Sequence, residues 1–141
     1  MSATLFTSIR NYITTKLTTI TAIQYSDNCH HYKLPGYPAV TFEPSSGTNE
    51  VFNTKDNLRG YAFDFYVQCE MTNGRDNAVK VMCIVLDALL DSFDSDYTLG
   101  GLVDYSIPMQ VESVVAYENG DGPVLVGKLT LIAKKEINVL P

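Results

Sequence analysis

Residues Arg59–Met71 read Arg-Gly-Tyr-Ala-Phe-Asp-Phe-Tyr-Val-Gln-Cys-Glu-Met, and their side chains alternate in character. One face of this stretch is apolar and comprises Tyr61, Phe63, Phe65, Val67, Cys69 and Met71. The opposite face carries Asp64, Gln68 and Glu70. Strict alternation is typical of a β-strand that has one face in the core and the other in solvent. The stretch therefore predicts a long, half-buried strand.

The period changes directly after this strand. Apolar residues then recur at the spacing of an amphipathic helix, at Ala78, Met82, Val85, Leu86, Leu89 and Phe93. Asn73 can cap the start of this helix with its side chain. Asp76 and Lys80 are spaced for an ion pair across one helical turn. We therefore predict an amphipathic helix that begins just after Asn73 and packs on the sheet.

Upstream of the strand, the chain predicts one helix and one short strand. The helix extends approximately from Ser2 to Ile23, with an apolar stripe of Leu5, Ile9, Ile13 (or Tyr12), Leu17, Ile20 and Ile23. Tyr37–Pro44 is bounded by prolines and reads as a short strand. Ser45–Leu58 is polar apart from Val51 and Phe52, so it holds either a short strand or a long hairpin loop. We predict a polar arm at about 45–58, with Val51 and Phe52 as candidate contacts to a neighbouring subunit.

Two further strands end the chain. Ile107, Met109, Val111, Val115 and Tyr117 alternate along the first, and Val124–Lys135 forms the second. Glu118-Asn-Gly-Asp-Gly-Pro123 between them is a strong hairpin signal. The element order predicts an α+β fold: an antiparallel sheet of four to five strands with two helices packed on one face. A single domain over residues 1–141 suits this length.

Composition and cysteine usage indicate a soluble protein made in the cytosol. The chain is 45% hydrophobic and 18% charged, which is ordinary for a globular protein. Its start has no basic segment of a secretory signal, and no apolar run approaches the length of a membrane helix. Cys29, Cys69 and Cys83 have no CxxC spacing, so we expect small buried residues in a reducing compartment.

Charge is unevenly distributed along the chain, whose net charge is −6. Lys, Arg and His are absent between Lys80 and Lys128, whereas the same stretch carries Asp87, Asp91, Asp94, Asp96, Asp104, Glu112, Glu118 and Asp121. The predicted acidic surface argues against binding nucleic acid through its phosphates. Asp91, Asp94 and Asp96 crowd a helix C-terminus, where the macrodipole disfavours anions. Two interpretations remain: a functional need for negative charge, or a well-solvated helix end.

The sequence contains no catalytic or cofactor motif. A Gly-rich phosphate loop, GxSxG and HExxH are all absent. His30 and His31 follow Cys29, but neighbouring side chains of an extended segment point to opposite faces and cannot share a metal ion. The Asp87/Asp91 pair lies on one helix face without a base or nucleophile. We therefore predict no catalytic residues, no metal and no cofactor in a protein that is not an enzyme.

Taken together, the pattern resembles the tail terminator family of long-tailed bacteriophages. The features that carry the resemblance are the N-terminal helix, Gly36-Tyr-Pro-Ala-Val-Thr-Phe42, the polar arm, the aromatic strand Tyr61–Met71, the helix Ala78–Phe93 and the closing hairpin at Asn119-Gly120. The resemblance extends over nearly the whole chain and is one of order and spacing. Related neck proteins share this arrangement, so a head-side connector or stopper is an alternative. A small cytosolic ligand-binding domain or enzyme is a further alternative.

The resemblance implies a virion protein, located in the tail or neck and assembled in the cytoplasm of a bacterial host. It implies a ring of probable sixfold symmetry that caps the tail tube and joins it to the head connector. The partners would be further copies of the chain, the tail tube protein and a connector or stopper protein. Val51 and Phe52 would then contact a subunit or the tube. Asp87, Asp91, Asp94 and Asp96 would line an acidic lumen, through which DNA passes without specific binding, or face a partner. No membrane is implied.

Overall fold

The computed structural model of the chain describes residues 4–29, 34–119 and 122–139. Two helices, α1 (Leu5–Thr18) and α2 (Arg75–Asp94), accompany five strands. The strands are β1 (Tyr25–Asp27), β2 (Ala39–Val51), β3 (Asp56–Glu70), β4 (Tyr105–Asn119) and β5 (Gly122–Asn138). They form one sheet in the order β1-β2-β3-β5-β4. The predicted α+β class is therefore confirmed.

The sheet is mixed rather than purely antiparallel. β1 is parallel to β2, through Tyr25↔Ala39 to Asp27↔Thr41, whereas the other three pairings are antiparallel. The sequence did not predict β1, because three residues are too few to show a period. The prediction of a wholly antiparallel sheet is wrong at this edge.

β3 is the central strand and confirms the alternation that the sequence shows. It pairs with β2 on one side and along its full length with β5 on the other, from Asp56↔Asn138 to Glu70↔Val124. Its odd-numbered side chains from Tyr61 to Cys69 are buried. Gln68 is also buried, although it lies on the opposite face, so part of that face is covered too. Met71 lies just beyond the strand and packs against the core.

The two helices contribute to the core that lies against the odd-numbered residues of β3. From α1, the Phe6 ring meets the Tyr61 ring edge-on, with 4.6 Å between their centroids. From α2, Phe93 meets Phe65 at 5.6 Å. Over β5, α2 approaches so closely that a Cβ on Gly127 would lie 2.9 Å from the Met82 sulfur. These contacts fix α1 and α2 relative to the sheet.

The first helix is shorter than the predicted range of Ser2 to Ile23. The Thr4 side chain accepts a hydrogen bond from the Thr7 N–H and caps its start. At its end, the Thr18 and Thr19 hydroxyls bond to the carbonyls of Thr15 and Lys16, at 2.6 and 2.7 Å. Hydroxyls that bond to backbone carbonyls in this way compete with continued helix. Ile20 and Ile23 therefore pack against the core from the following turn.

The second helix differs from its prediction at its start and on one face. Gly74, not Asn73, is the N-cap, and no side chain bonds there. The ion pair between Asp76 and Lys80 is confirmed, with 3.2 Å between carboxylate and ammonium. Leu86 is only partly buried, and Cys83 is exposed rather than buried. The buried stripe is thus narrower than the apolar run in the sequence.

Residues 45–58, for which the sequence left a short strand or a loop open, form a β-hairpin. β2 continues to Val51, which pairs with Asn57 at the start of β3. The end of β5 adds a third strand beside β3, and the Val139 N–H donates to the Lys55 carbonyl at 2.8 Å. We call residues 45–58 the arm, and Val51–Lys55 its turn. Because β5 supports the arm, we now expect mobility in the free subunit only at that turn.

We expect Leu89→Ala to lower the free energy of unfolding by about 2–5 kcal/mol, because Leu89 is 0% exposed in the core under α2. Ile84 is the matched control, since it lies on the same helix and is 62% exposed. Ile84→Ala should change the free energy by less than about 0.5 kcal/mol. Urea unfolding followed by circular dichroism measures both. Similar effects of the two substitutions would show that α2 packs with a different face.

Candidate assembly surfaces

The arm turn presents two apolar side chains to solvent. Val51 is 84% exposed and Phe52 is 56% exposed. The Asn53 side chain accepts hydrogen bonds from the N–H groups of Lys55 and Asp56, each at 2.8 Å, while the Phe52 N–H bonds to the Asp56 carbonyl. Such an Asx turn satisfies the backbone locally. The turn is therefore well formed, yet its apolar residues lack cover within the described part of the chain.

The second half of α2 carries three exposed acidic residues, Asp87, Asp91 and Asp94. Among the described residues, none of the three forms an ion pair, and the last turn of α2 carries no basic residue. The helix macrodipole therefore opposes Asp91 and Asp94, which lie in the last turn, without a cation of that turn to compensate them. Their arrangement agrees with the acidic surface that the sequence predicts, and a role for that surface stays a prediction.

Asp96, the fourth predicted member, instead makes internal bonds. Its carboxylate accepts hydrogen bonds from the Tyr12 hydroxyl, from the Lys16 ammonium at 3.1 Å and from the Gly100 N–H at 3.0 Å. Lys16 also lies over the Phe93 ring, 5.3 Å from its centroid. Asp96 thereby ties α1 to the turn that follows α2, and is unavailable to a partner.

The hydrogen bonds to Asp96 shift the pKa of its carboxyl group. Partial burial alone would raise the pKa of Asp96, but the hydrogen bonds from Tyr12, Gly100 and Lys16 outweigh it and hold that pKa below its usual range. In return, the hydrogen bond to Asp96 raises the pKa of Tyr12. Asp96 is therefore ionised in the folded protein at neutral pH.

The acidic stretch as a whole does not become an acidic half of the surface. Asp104 lies 3.4 Å from the Lys135 ammonium and also accepts the Glu136 N–H. Glu112 lies 3.3 Å from Lys128. Strand pairing brings cations from β5 beside carboxylates that are remote in sequence. Among the described residues of the stretch, only Glu118 and the carboxylates in the second half of α2 are left without a basic partner. Asp121 lies outside the described residues.

β4 forms an edge of the sheet and exposes an unusual number of large apolar side chains. Only Met109 of its predicted apolar residues is buried. Exposed along the strand are Tyr105, Ile107, Val111, Val114, Val115 and Tyr117. The sequence predicted this strand, but not that its apolar side chains would be exposed. The signal was present in Val111–Tyr117, where apolar residues occupy both faces of the strand.

The sheet face opposite the helices, called here the outer face, contains a concavity of about 440 Å³ near the β4–β5 hairpin. Strand register places Gln68, Val126 and Val115 side by side in it. Val67 and Leu125, their neighbours in sequence, point to the opposite face and lie in the core. Its apolar lining is Tyr66, Val115, Tyr117, Val124 and Val126, and its polar lining includes Glu43, Glu118 and Lys128.

A charged network holds the polar side of the concavity. The Lys128 ammonium lies 3.3 Å from Glu112 and 3.6 Å from Asp64, and the Thr130 hydroxyl donates to Glu112 at 2.6 Å. The hydrogen bond to Glu112 and the charge of Asp64 raise the pKa of Lys128. The hydrogen bonds from Thr130 and then Lys128 lower the pKa of Glu112. Lys128 is thus fully paired and leaves Glu43 and Glu118 uncompensated within the described residues.

The described ranges contain neither a cluster suited to a metal ion nor a membrane-spanning helix. No three His, Cys, Asp or Glu residues there are grouped to hold a metal ion, and His30 and His31 lie outside those ranges. No described helix is long and apolar enough to span a membrane. Burial raises the pKa of the Cys69 thiol to about 12. Cys29 is exposed, as Cys83 is, so the expectation of buried cysteines is correct for Cys69 alone.

Comparison with known proteins gives matches among solved structures alone. No family model matches the chain, and no curated protein matches it. Among solved structures, it resembles a chain of a structure described as "Virion of native gene transfer agent (GTA) particle". The identity is 15%, the match covers 88% of this chain and 84% of that chain, and the TM-score is 0.46. A likeness this distant assigns neither a family nor a function.

We expect Asp96→Asn to destabilise the protein by about 1–3 kcal/mol at pH 7, because it weakens charge-assisted hydrogen bonds to Tyr12 and Lys16. The folded pKa of Asp96 is lowered, so this stabilisation is present above the unfolded pKa of about 3.9. It is lost as pH falls through the folded pKa. The wild type and the variant should therefore converge in urea unfolding near pH 2.

Asp87→Asn is the matched control, because Asp87 is exposed on α2 and has no described partner. It should change stability by less than about 0.5 kcal/mol at either pH. A destabilisation by Asp96→Asn that is equal at both pH values would contradict the role of its ionised form.

Proposed function

We propose that this chain is a structural virion protein of a long-tailed bacteriophage: a tail terminator whose ring caps the tail tube and joins it to the head connector. The ring has six copies, and the protein acts in the virion tail or neck. The proposal combines the resemblance in sequence order with the surfaces described above. The gene transfer agent chain is also part of a virion structure, but its superposition is too loose to add weight.

The observation that carries the proposal is the amount of apolar side chain left uncovered on the outer face, on β4 and on the arm turn. Single exposed apolar residues are normal, but contiguous patches mark surfaces that other proteins cover. Here the patches lie on different parts of the subunit, one at the arm and one near the β4–β5 hairpin. Different patches that meet on neighbouring copies generate rings or filaments. A ring-forming protein uses such a surface, whereas a monomeric enzyme has no need of it.

The acidic face of α2 fits the same assembly. Asp87, Asp91 and Asp94 form a stripe without a described cation, and in a ring that stripe lines the lumen or meets a basic partner ring. A negative lumen repels DNA phosphates, which allows passage without adhesion. Electrostatic complementarity across a docking face would act chiefly on specificity and rate of assembly.

Deletion of the gene from the phage that encodes it tests the function. A missing tail terminator should give tails of variable and excessive length that do not join to heads, as seen by negative-stain electron microscopy. Complementation with the intact gene should restore uniform particles. Filled heads that lose DNA beside tails of normal length would instead indicate a head-side stopper. Normal particles would exclude both neck functions.

We further expect Asp91→Lys with Asp94→Lys to yield a protein that folds and melts normally, because exposed charges contribute little to stability. Tails should form, but neck assembly or DNA passage should fail and infectivity should fall strongly. Plaque titre and particle micrographs measure this. Glu70→Lys with Glu136→Lys is the control, since it makes the same change in net charge at exposed carboxylates that form no described ion pair. Full infectivity of the Asp91→Lys/Asp94→Lys variant would show that these carboxylates have no role in assembly and only form a solvated helix end.

A further inference from the structure

The arm turn and the outer-face concavity match in size and character. Val51 and Phe52 form an exposed apolar projection, and the concavity has an apolar wall that includes Tyr117, itself 58% exposed. Pockets that hold small ligands measure about 300–1,000 Å³. At about 440 Å³, the concavity can accept the Phe52 ring together with its neighbour. A buried aromatic residue in such a pocket is the usual anchor of a protein interface.

Charge agrees with this match. Lys55, on the same turn as Phe52, is exposed and has no carboxylate partner in the described ranges. Lys128 in the concavity is already paired with Glu112 and Asp64, so Glu43 and Glu118 leave that lining net negative. The Lys55 ammonium can therefore pair with a carboxylate of the lining, whereas Asp56 beside it already accepts a hydrogen bond from the Asn53 side chain at 3.4 Å. Such a pair would fix the orientation of the arm.

The arm cannot reach the concavity of its own subunit. The two lie at opposite ends of the central strand: Asn57 pairs beside the arm turn, whereas Gln68 lines the concavity. The separation along β3 is about 35 Å at the rise of a strand. Strand pairing with β5 holds the arm extended away from that end. Any occupancy by the arm therefore involves a second molecule.

The open sheet edges offer a less suitable route to association. β4 has irregular register between Ile107 and Gln110, where Pro108 lies, and again between Val111 and Ser113. The free part of the β2 edge is interrupted between Pro44 and Ser46. Prolines and bulges at edges obstruct strand addition. The sheet is thus built to associate through its face rather than by extending its strands.

We propose that Val51 and Phe52 of one subunit insert into the outer-face concavity of a second copy of this chain. The partner is the chain itself, and the contact is heterologous, arm to concavity. The inference rests on the ring of the proposed function and names the surfaces that build it. Repeated around a closed ring, each subunit gives its arm to one neighbour and receives the arm of the other.

The first test uses two variants, each of which removes one half of the contact. Phe52→Asp places a charge on the arm turn, and Tyr117→Asp places one in the concavity. Each should weaken self-association about tenfold or more in sedimentation, with unchanged melting, because both residues are exposed in the subunit. Thr54→Ala, on the same turn, is the control and should assemble normally, because it leaves the apolar residues and the charge of the turn unchanged. Mixed together, the two variants should form one-to-one dimers and nothing longer, since only one intact arm–concavity pair exists.

The second test is cross-linking under mild oxidation. One variant carries Phe52→Cys and another Tyr117→Cys, both with Cys29→Ser and Cys83→Ser to remove the exposed thiols. Cys69 can remain, because its buried thiol has a raised pKa and reacts slowly. The expected product is a disulfide between the two different variants. Ile84→Cys, exposed on α2, is the negative control.

Three outcomes would overturn the inference. Cross-links between two copies of Phe52→Cys alone would show arms packed on each other. Rings that form without any arm–concavity cross-link would show another interface and leave the proposed function intact. A protein that stays monomeric in both tests would remove the self-association itself. Conversely, successful cross-linking together with normal tails in the gene deletion would sustain the interface and refute the tail function.

Discussion

The ladder between β3 and β5 is the interaction on which the rest of the structure depends. It pairs β3 along its whole length, and it sets which side chains of both strands face the helices. A slip by one residue would move Phe63, Phe65 and Leu129 to the outer face and bring Asp64 and Lys128 into the core. Burial of the aromatic face against α1 and α2 therefore specifies the register. That register in turn builds the concavity and extends the arm.

Stability and recognition are divided between the two faces of the same strands. The helix side is a dense apolar core, with close approaches such as Met82 over Gly127, where volume changes are costly. The outer side carries a paired charge network and exposed apolar residues, where substitutions leave packing unchanged. Because neighbouring residues of one strand serve the two purposes, a subunit can alter its partner surface without loss of its fold. Asp96, in the turn that follows α2, is the exception among the predicted acidic residues, because its carboxylate bonds to Tyr12, Lys16 and Gly100 within the subunit.

The sequence predicted most securely the elements that have a strong period. β3, α2 and β5 were found because their apolar residues alternate or recur over many residues. β1 was missed because parallel pairing with Ala39–Thr41, not its own pattern, makes it a strand. The outer half of β2 was left open between strand and loop because Ser46–Glu50 are polar on both faces and are held by the ladder alone. Ends of elements also depended on local bonds, such as the threonine hydroxyls that end α1.

The candidate surfaces could also be predicted only in part from the sequence. Val51 and Phe52 stood out because they are apolar within a polar stretch, and the structure does expose them. The acidic run overstated the acidic surface, because Lys128 and Lys135 come from a strand that the charge count treats as separate. The concavity could not be foreseen, since its lining residues come from four strands and the sequence marks no boundary around them. A surface assembled across strands becomes visible only when register is known.

Edge irregularities and the arm together account for how this sheet can associate without aggregating. Long open edges invite uncontrolled strand addition, and the prolines and bulges of β2 and β4 oppose it. In the proposed ring, the arm would move association from the sheet edge to an apolar side-chain contact of limited size. Such a contact is directional, because one arm fits one concavity, and it is saturated once a ring closes. A filament of unlimited length would need the same contact at an angle that does not close. The angle between successive subunits, set by how rigidly β5 holds the arm, thus decides whether growth stops.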